Sequence, residues 1–273
     1  MPRPGPLSLN IATVRERWGL AECVEGCARN GIPGIAPWRD ALADAGGAQR
    51  AARRIREAGL RVSSLCRGGM FTAANRAGRR AAIDDARRAI GEAHVLGAAC
   101  LVVVSGGLPP GSKDLVGARE MVRDGLAEIL DEGRAAGVTL ALEPQHPLAC
   151  ADRSVLTTLA QALDLCAELG GDVGVVVDTY HVWWDPDLAR QMARAQGRIV
   201  VFQAGDWLAP TTDLAPGRGM PGEGVIDIPG LRAMAEAAGY KGPIEVEVLS
   251  RRWWACDPEE VLRVVRACHA SAC

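Results

Sequence analysis

The sequence shows no large excess of charge of either sign, because its 273 residues include 31 lysines and arginines and 33 aspartates and glutamates. This balance argues against a nucleic-acid-binding surface, which would require a clear basic excess. No apolar run approaches the roughly 18–20 residues that cross a bilayer, so no membrane partner is expected. The segment from Met1 to Leu7 lacks the apolar core of a secretion signal. We therefore expect a cytoplasmic protein.

Histidines and closely paired cysteines are also scarce. The chain has 4 histidines, and none of its 9 cysteines forms a Cys-x-x-Cys pair. An odd number of cysteines without a secretion signal predicts reduced thiols, most of them buried. Cys23 and Cys27 are one helical turn apart, but no matching histidine or cysteine pair follows. A structural zinc site there is the minor alternative.

Short apolar runs alternate with longer amphipathic stretches along the whole chain. The runs that predict strands are 7–11, 34–36, 61–64, 100–104, 139–142, 173–177, 199–202 and 244–248. The predicted helices are 20–30, 47–58, 76–96, 115–136, 158–169, 187–196, 228–238 and 258–270. Several strands are continuous runs of Val, Leu and Ile, which is typical of a parallel sheet covered on both faces. The pattern predicts an α/β fold, a single (β/α)8 TIM barrel over residues 1–273, with an open sheet as the alternative.

Polar residues stand at the ends of several predicted strands, where the active site of such a barrel lies. The ends of the last four strands carry Glu143, Asp178, Gln203 and Glu247. Three carboxylates that converge on one mouth would raise each other's pKa unless a cation lies between them. An oxygen-rich set of this kind suits Mn²⁺, Mg²⁺ or Co²⁺. The alternative is that each carboxylate caps a helix or pairs with an arginine.

Four segments carry a resemblance to a known family. They read Leu-Ala-Leu-Glu-Pro-Gln-His at 140–146, Val-Asp-Thr-Tyr-His at 177–181, Arg-Gly-Met-Pro-Gly-Glu-Gly at 218–224 and Gly-Tyr-Lys-Gly-Pro-Ile-Glu-Val-Glu at 239–247. Each segment is weak alone, but together and in this order they resemble the xylose isomerase-like TIM barrels of sugar isomerases and epimerases. The resemblance implies this barrel fold and chemistry on a sugar.

The resemblance also implies roles for individual residues. Glu143, Asp178 and Glu247 would bind a divalent metal. In ketose epimerases of this kind Glu143 and Glu247 flank the reacting carbon, so they would also be the catalytic pair that transfers the proton. His181 would contact a substrate hydroxyl, and Arg218 would bind a substrate oxygen or phosphate.

One position departs from the pattern of the family. Where the family has a metal-binding histidine at the end of the seventh strand, this sequence has Gln203, and no histidine occurs between 182 and 268. An amide oxygen can bind a hard cation, although more weakly than imidazole holds a transition metal. We therefore expect an all-oxygen site with Mn²⁺ or Mg²⁺ favoured and zinc disfavoured. Asp206 is the substitute ligand or the partner of a bound water, and Glu245, which points the same way along its strand, is the alternative to Glu247.

Three further residues near the predicted mouth are weaker candidates for substrate contact: His146, Arg67 and Trp184. Tryptophans also lie near strand ends or in the following loops at positions 38, 183, 207, 253 and 254. Their flat rings suit stacking on a sugar or an aromatic aglycone, and they suit equally the core or the interface of a homodimer.

The leading interpretation is a divalent-metal-dependent isomerase or epimerase of a sugar, keto-sugar or cyclitol. It would remove a proton next to a carbonyl and form an enediolate that the metal stabilises. The first alternative is a lyase of the same family that eliminates an aglycone from a 3-keto-glycoside. A related barrel that hydrolyses DNA at abasic sites would need more histidines and a basic face. A barrel that serves only as a binding or scaffold subunit is the non-enzymatic alternative.

Overall fold

The computed structural model describes residues 5–170 and 173–273. Its strands are β1 (Leu7–Asn10), β2 (Gly34–Ala36), β3 (Arg61–Val62), β4 (Leu65–Gly69), β5 (Cys100–Val104), β6 (Thr139–Leu142), β7 (Val173–Asp178), β8 (Ile199–Ala204), β9 (Asp206–Trp207), β10 (Arg218–Gly219) and β11 (Ile244–Val246). Its α-helices are α1 (Leu20–Arg29), α2 (Arg39–Asp44), α3 (Ala48–Glu57), α4 (Arg76–Leu96), α5 (Leu115–Ala136), α6 (Leu159–Leu169), α7 (Thr179–Val182), α8 (Leu188–Arg194), α9 (Ile228–Ala237), α10 (Arg251–Trp254) and α11 (Pro258–Ala272). Two short 3₁₀ helices follow β1 and β6, at Ile11–Thr13 and Pro147–Ala149.

Nine of these strands form one parallel sheet that curls into a barrel. The order of hydrogen-bonded neighbours is β3-β2-β1-β11-β8-β7-β6-β5-β4. β3 and β4 follow each other along the chain and act as two segments of one barrel strand. The backbone N–H of Cys66 in β4 donates to the carbonyl of Pro37 after β2, at 3.0 Å, and so joins the two ends of the sheet. The predicted (β/α)8 barrel is therefore confirmed, and the alternative of an open sheet is wrong.

The predicted elements differ from the observed ones mainly where local pattern is weak. The longest helices, α4 and α5, have the predicted bounds because their caps are strong. Asn75 and Asp114 accept hydrogen bonds from the N–H groups of Gly78 and Gly117 at the two starts. Glycines in left-handed conformation end both helices. The third strand, predicted at 61–64, is instead split into β3 and β4, and α2, α7 and α10 are too short for a periodic pattern to reveal.

The interior of the barrel is filled by small and β-branched side chains. The inward-facing cluster consists of Cys66, Cys100, Val102, Ala141, Val176 and Val201. Alternate residues such as Leu101 and Val103 belong to the larger core between the sheet and the surrounding helices, because successive side chains point to opposite faces of a strand. This apolar cluster fills the barrel beneath the carboxyl ends of the strands. The polar groups at those strand ends therefore lie next to apolar side chains on the inner side.

The cysteines of this barrel are all free thiols. Cys23 and Cys27 are buried in α1, and burial raises the pKa of Cys27 to about 12. Among the described residues, the group of histidine, cysteine and acidic side chains close enough to share a metal ion is Glu143, Asp178 and His181, which weakens the alternative of a structural zinc site at Cys23 and Cys27. Within residues 5–170 and 173–273, no helix is both long enough and apolar enough to cross a membrane.

Candidate active site at the carboxyl end of the barrel

Four neighbouring strands bring polar side chains together at the carboxyl end of the barrel. Glu143 follows β6, Asp178 ends β7, Gln203 lies in β8 and Glu247 follows β11. Their exposed fractions are 4%, 0%, 0% and 3%. Asp178 and Gln203 are partners in the register of β7 and β8. The structure thus places all four predicted ligand residues on consecutive strands of the sheet. Glu143 and Glu247 line one buried pit, which Asp178 reaches through Arg218, whereas Gln203 is hydrogen-bonded to Glu245.

Arg218 enters this pit from the β9–β10 hairpin. Its Nη1 donates to Asp178 Oδ2 at 3.0 Å and to Glu247 Oε2 at 2.9 Å, and its guanidinium lies 4.4 Å from the ring centre of Tyr180. Burial alone would lower the pKa of Arg218, but the charges of Asp178 and Glu247 raise it above its ordinary value. Arg218 is therefore a permanent cation. The sequence did not predict its ion pairs with two candidate metal ligands.

One arginine does not neutralise three buried carboxylates. Burial, followed by the charge of Asp178, raises the pKa of Glu143 to about 7, although Gln145 Nε2 donates to Glu143 Oε2 at 2.6 Å. Burial also raises the pKa of Glu247 to about 8 against the opposing effect of Arg218. Burial raises the pKa of Asp178 as well. Arg218 pairs with Asp178 and Glu247, whereas Glu143 has no ion pair among the described residues, and a bound cation would relieve the repulsion between these carboxylates.

A deeper hydrogen-bond network separates Glu247 from its alternative, Glu245. Asn10 Nδ2 donates to Oε1 of both carboxylates, at 2.9 Å each. Gln203 Nε2 also donates to Glu245 Oε1 at 2.9 Å, and two serine hydroxyls between β3 and β4 donate to Glu245 Oε2 at 2.8 Å each. Glu245 is thus bonded on both oxygens inside the barrel, while Glu247 faces the pit. This arrangement favours Glu247 as the functional carboxylate.

Among the described residues, the side-chain amide of Gln203 forms a hydrogen bond through its nitrogen but not through its oxygen. Its Nε2 donates to Glu245, whereas its Oε1 is buried and has no hydrogen-bond partner among the described residues. A buried carbonyl oxygen without a partner costs free energy unless a ligand completes it. The side-chain Oε1 of Gln145 and the Nε of Arg218 are also buried without a partner in the described part of the chain. Incomplete polar groups therefore gather around the pit.

His181 is buried beside Asp178, and both of its ring nitrogens face N–H donors. The backbone N–H of His146 donates to His181 Nδ1 at 3.2 Å, and Arg218 Nη2 lies 3.2 Å from His181 Nε2, which is 3.5 Å from Asp178 Oδ2. Burial, followed by the charge of Arg218, lowers the pKa of His181 well below its ordinary value. One ligand atom each from Glu143, Asp178 and His181 lie within 4.8 Å of one another. His181 therefore lies where it can contact either a bound cation or a substrate hydroxyl.

Asp206 has different partners from those that the sequence predicted. Its Oδ2 accepts from the backbone N–H groups of Gly222 and Gly224 at 2.9 and 2.8 Å. Its Oδ1 accepts from two further backbone N–H groups, of Trp207 and Ile226. These four bonds hold the glycine-rich loop that follows the β9–β10 hairpin. The structure thus gives Asp206 a role in shaping the loop instead of one as a metal ligand or partner of a bound water.

Two neighbouring spaces adjoin the pit at the carboxyl end of the barrel: a narrow cavity and a wider lobe. The cavity has a volume of ≈ 20 Å³, which is about the space that one water molecule needs. Its wall includes Glu143, His181, Arg218 and Glu247. The lobe beside it measures ≈ 280 Å³ and is bordered by Leu148, Trp207 and Leu214. We call this second space the aromatic lobe.

The weaker candidates for substrate contact lie on different sides of the cavity. His146 borders the aromatic lobe, with its ring centre 4.9 Å from that of Trp207. Trp184 packs edge-on against His146 at 5.6 Å, and its Nε1 donates to the carbonyl of His181. Arg67 borders the cavity on its other side. The tryptophan in the wall of the aromatic lobe is thus Trp207. Trp184 contacts His146, which in turn contacts Trp207.

Sequence reasoning missed two residues that border the cavity. Gln145 donates to Glu143 and stands two positions after it. Its position carried a usable signal, because alternate residues of an extended segment point the same way. Arg153 also borders the cavity, but it lies in the irregular loop after β6. No periodicity indicates where a residue in such a loop will point.

The raised pKa values predict how stability depends on pH without metal. Folded Glu143 and Glu247 hold protons that the unfolded chain, with an ordinary glutamate pKa of 4.5, has already released. The free energy of unfolding should therefore fall, by about 1–2 kcal/mol, as pH rises from about 6.5 to about 8.5. Urea titrations of chelator-treated protein at both pH values measure this.

The double variant Glu143→Gln, Glu247→Gln serves as the reference for that measurement. It keeps every histidine and cysteine, so the titration of those groups cancels in the comparison. An equal pH dependence in wild type and double variant would contradict the predicted role of the two carboxyls.

The comparisons with known proteins identify the family to which this barrel belongs. A family model described as a xylose isomerase-like TIM barrel matches residues 21–268. The chain belongs to this family. The resemblance that four segments predicted is thus confirmed. Among solved structures, SMc04130 from Sinorhizobium meliloti is 51% identical, with a TM-score of 0.96 and 98% of each chain covered. The IolI protein, solved with a bound zinc atom, shares the fold at 20% identity, a TM-score of 0.85 and 96% of each chain covered.

Two characterised relatives match part of their length. A 3-dehydroshikimate dehydratase from Pseudomonas aeruginosa is 25% identical over 248 residues, which make up 88% of this chain and 38% of that protein. An inosose isomerase from Bacillus velezensis is 26% identical over 150 residues, 52% of this chain and 50% of that protein. The chain therefore covers half or less of each relative. Both relatives are enzymes, but one is a dehydratase and the other an isomerase.

Proposed function

We propose that this protein is a divalent-metal-dependent isomerase or epimerase that acts on a sugar or cyclitol by moving a proton on a carbon next to a carbonyl. The observation that carries this proposal is the pair Glu143 and Glu247. Both are buried beside the ≈ 20 Å³ cavity, and burial raises their pKa values to about 7 and about 8. A carboxyl with a pKa near neutrality suits both the removal and the return of a proton.

The residues of the pit fit a divalent cation. Glu143, Asp178, Gln203 and Glu247 would hold it, because Arg218 pairs with Asp178 and Glu247 but not with Glu143, and the Gln203 Oε1 lacks a partner among the described residues. When bound, the cation supplies Lewis acidity that polarises the substrate carbonyl. The all-oxygen donor set favours Mn²⁺, with Mg²⁺ or Co²⁺ as alternatives. Zinc, which the related IolI protein binds, prefers nitrogen and sulfur donors.

Each residue of the pit then has a distinct task. Glu143 is the better placed base, because Gln145 occupies Oε2 and Oε1 has no hydrogen-bond partner among the described residues. Glu247 holds the second exchangeable proton and is oriented by Asn10. His181 contacts a substrate hydroxyl, and Arg218 keeps the substrate oxygens near its positive charge. Return of the proton to the neighbouring carbon isomerises the substrate, and return to the opposite face epimerises it.

A second candidate function is the elimination of an aglycone from a 3-keto-glycoside. The aromatic lobe favours it, because Leu148, Trp207 and Leu214 offer apolar surface larger than a simple sugar needs. The same proton removal by Glu143 would precede the loss of a leaving group from the adjacent carbon. The dehydratase relative also catalyses an elimination by its name.

Incubation in D₂O distinguishes the two functions. Protein loaded with Mn²⁺ is incubated with a panel of ketoses, keto-cyclitols and 3-keto-glycosides and followed by NMR and mass spectrometry. Deuterium in recovered substrate or its isomer supports the isomerase or epimerase. Release of the aglycone supports the lyase, and neither signal from any compound would refute both.

Gln203 provides a test of the metal site. The Gln203→Ala variant is expected to bind Mn²⁺ about 10- to 100-fold more weakly, because one oxygen donor is lost and the anchor to Glu245 disappears. Gln203→His should shift the preference towards zinc. Titration calorimetry and metal analysis of the purified proteins measure both effects. Gln191→Ala, at another buried glutamine in α8, is the control, and unchanged metal content in Gln203→Ala would contradict the assignment.

A further inference from the structure

A third space opens on the side of the cavity opposite the aromatic lobe. It measures ≈ 390 Å³ and is rich in arginine. The charged residues in its wall are Arg15, Arg39, Asp40, Arg67, Asp85 and Arg153. We call this space the basic lobe. Arg67 and Arg153 border the central cavity as well, so the basic lobe is continuous with the candidate reaction site.

Two of these arginines already have carboxylate partners. Arg39 pairs with Asp85 at 2.7 Å and with Glu92 at 2.5 Å, and Arg15 pairs with Asp40 at 2.9 Å. Asp85 and Glu92 occupy three donors of Arg39, and Asp40 occupies the Nη2 donor of Arg15. Arg39 and Arg15 therefore line the basic lobe as members of ion pairs.

The other two arginines lack such partners. Arg67 Nη1 reaches the sulfur of Met70 at 3.5 Å, which is a weak acceptor. The guanidinium of Arg153 has no hydrogen bond or ion pair with any residue in 5–170 or 173–273, although its charge lowers the pKa of Glu143 and of His181. Guanidinium groups in a concave site prefer planar anions that accept two hydrogen bonds at once.

We propose that the basic lobe binds an anionic group of the substrate, a carboxylate or a phosphate, through Arg67 and Arg153. The carbon that reacts then lies over Glu143 and Glu247, and the anionic group fixes its orientation. This inference rests on the proposed function for the position of the reacting carbon. It narrows the substrate class to keto-acids and phosphorylated keto-sugars, in place of neutral ones.

Calorimetry of the Mn²⁺-loaded full chain tests this inference. The probes are a neutral pentulose, the same pentulose carrying a terminal phosphate, and a 2-keto sugar acid of similar size. At least one anionic probe is expected to bind about 10- to 100-fold more tightly than the neutral one, since hydrogen bonds to charged groups are strong. The anion that binds more tightly distinguishes phosphate from carboxylate.

The variants Arg67→Ala, Arg153→Ala and their combination identify the residues responsible. The double variant should lose the preference for the anionic probes, so that it binds them no more tightly than it binds the neutral pentulose. Arg53→Ala, at an exposed arginine of α3, is the control and should change nothing. Equal binding of all three probes by the wild type, or unchanged anion binding by the double variant, would overturn the inference.

Calorimetry measures binding without turnover, so it tests the anion site independently of the proposed function. Arginine-dependent anion binding without deuterium exchange would sustain the basic lobe and refute the isomerase. Deuterium exchange together with equal binding of the neutral and anionic probes would refute the anion site and sustain the isomerase.

Discussion

Glu143→Gln is expected to lower the rate of proton exchange by about 10²- to 10⁴-fold, the usual contribution of a general base. Glutamine has the shape of glutamate, and its carbonyl oxygen can still accept from Gln145 Nε2. The amide then occupies the position of the free Oε1, where it cannot take a proton. Deuterium incorporation from D₂O into a reactive keto substrate measures the loss.

The control for this variant is Glu120→Gln, at an exposed glutamate of α5, which should keep the wild-type rate. Metal content is measured in the same samples, so that lost chemistry is distinguished from lost metal. Exchange within about threefold of the wild-type rate in Glu143→Gln would show that another group is the base. Glu247→Gln is then the next variant to assay, although it also disturbs the hydrogen bond from Arg218.

Arg218→Met is expected to destabilise the metal-free protein by about 3 kcal/mol at a pH where the carboxyls ionise. Arg218 Nη1 bridges Asp178 and Glu247, so its removal leaves two buried carboxylates facing each other without a cation. A divalent metal supplies the missing charge. Added Mn²⁺ should therefore stabilise Arg218→Met more than it stabilises the wild type, which urea titrations with and without metal measure.

Arg194→Met is the matched control, because Arg194 pairs with Asp164 at the surface. Loss of an exposed ion pair costs about 0–1 kcal/mol and should not respond to Mn²⁺. If Mn²⁺ stabilised Arg218→Met no more than the wild type, the carboxylates of the pit would not be its binding site.

The candidate site shows how far sequence reasoning reaches. Glu143, Asp178, Gln203 and Glu247 could be predicted because each stands where a regular strand ends, and parallel strands of a barrel end at the same mouth. The ion pairs of Arg218 could not be predicted, because a two-stranded hairpin and a glycine-rich loop determine where that side chain enters. The free guanidinium of Arg153 has the same origin, in an irregular loop.

The sequence by itself determined the barrel, because hydrophobic periodicity, helix caps and strand length are local properties that repeat eight times along the chain. It also determined which polar residues end the strands. Only the tertiary structure decided which of Glu245 and Glu247 faces the pit, which groups surround the ring of His181 and which arginines have no ion pair among the described residues. Those properties depend on hydrogen bonds between residues up to 237 positions apart, and no local pattern encodes such distances.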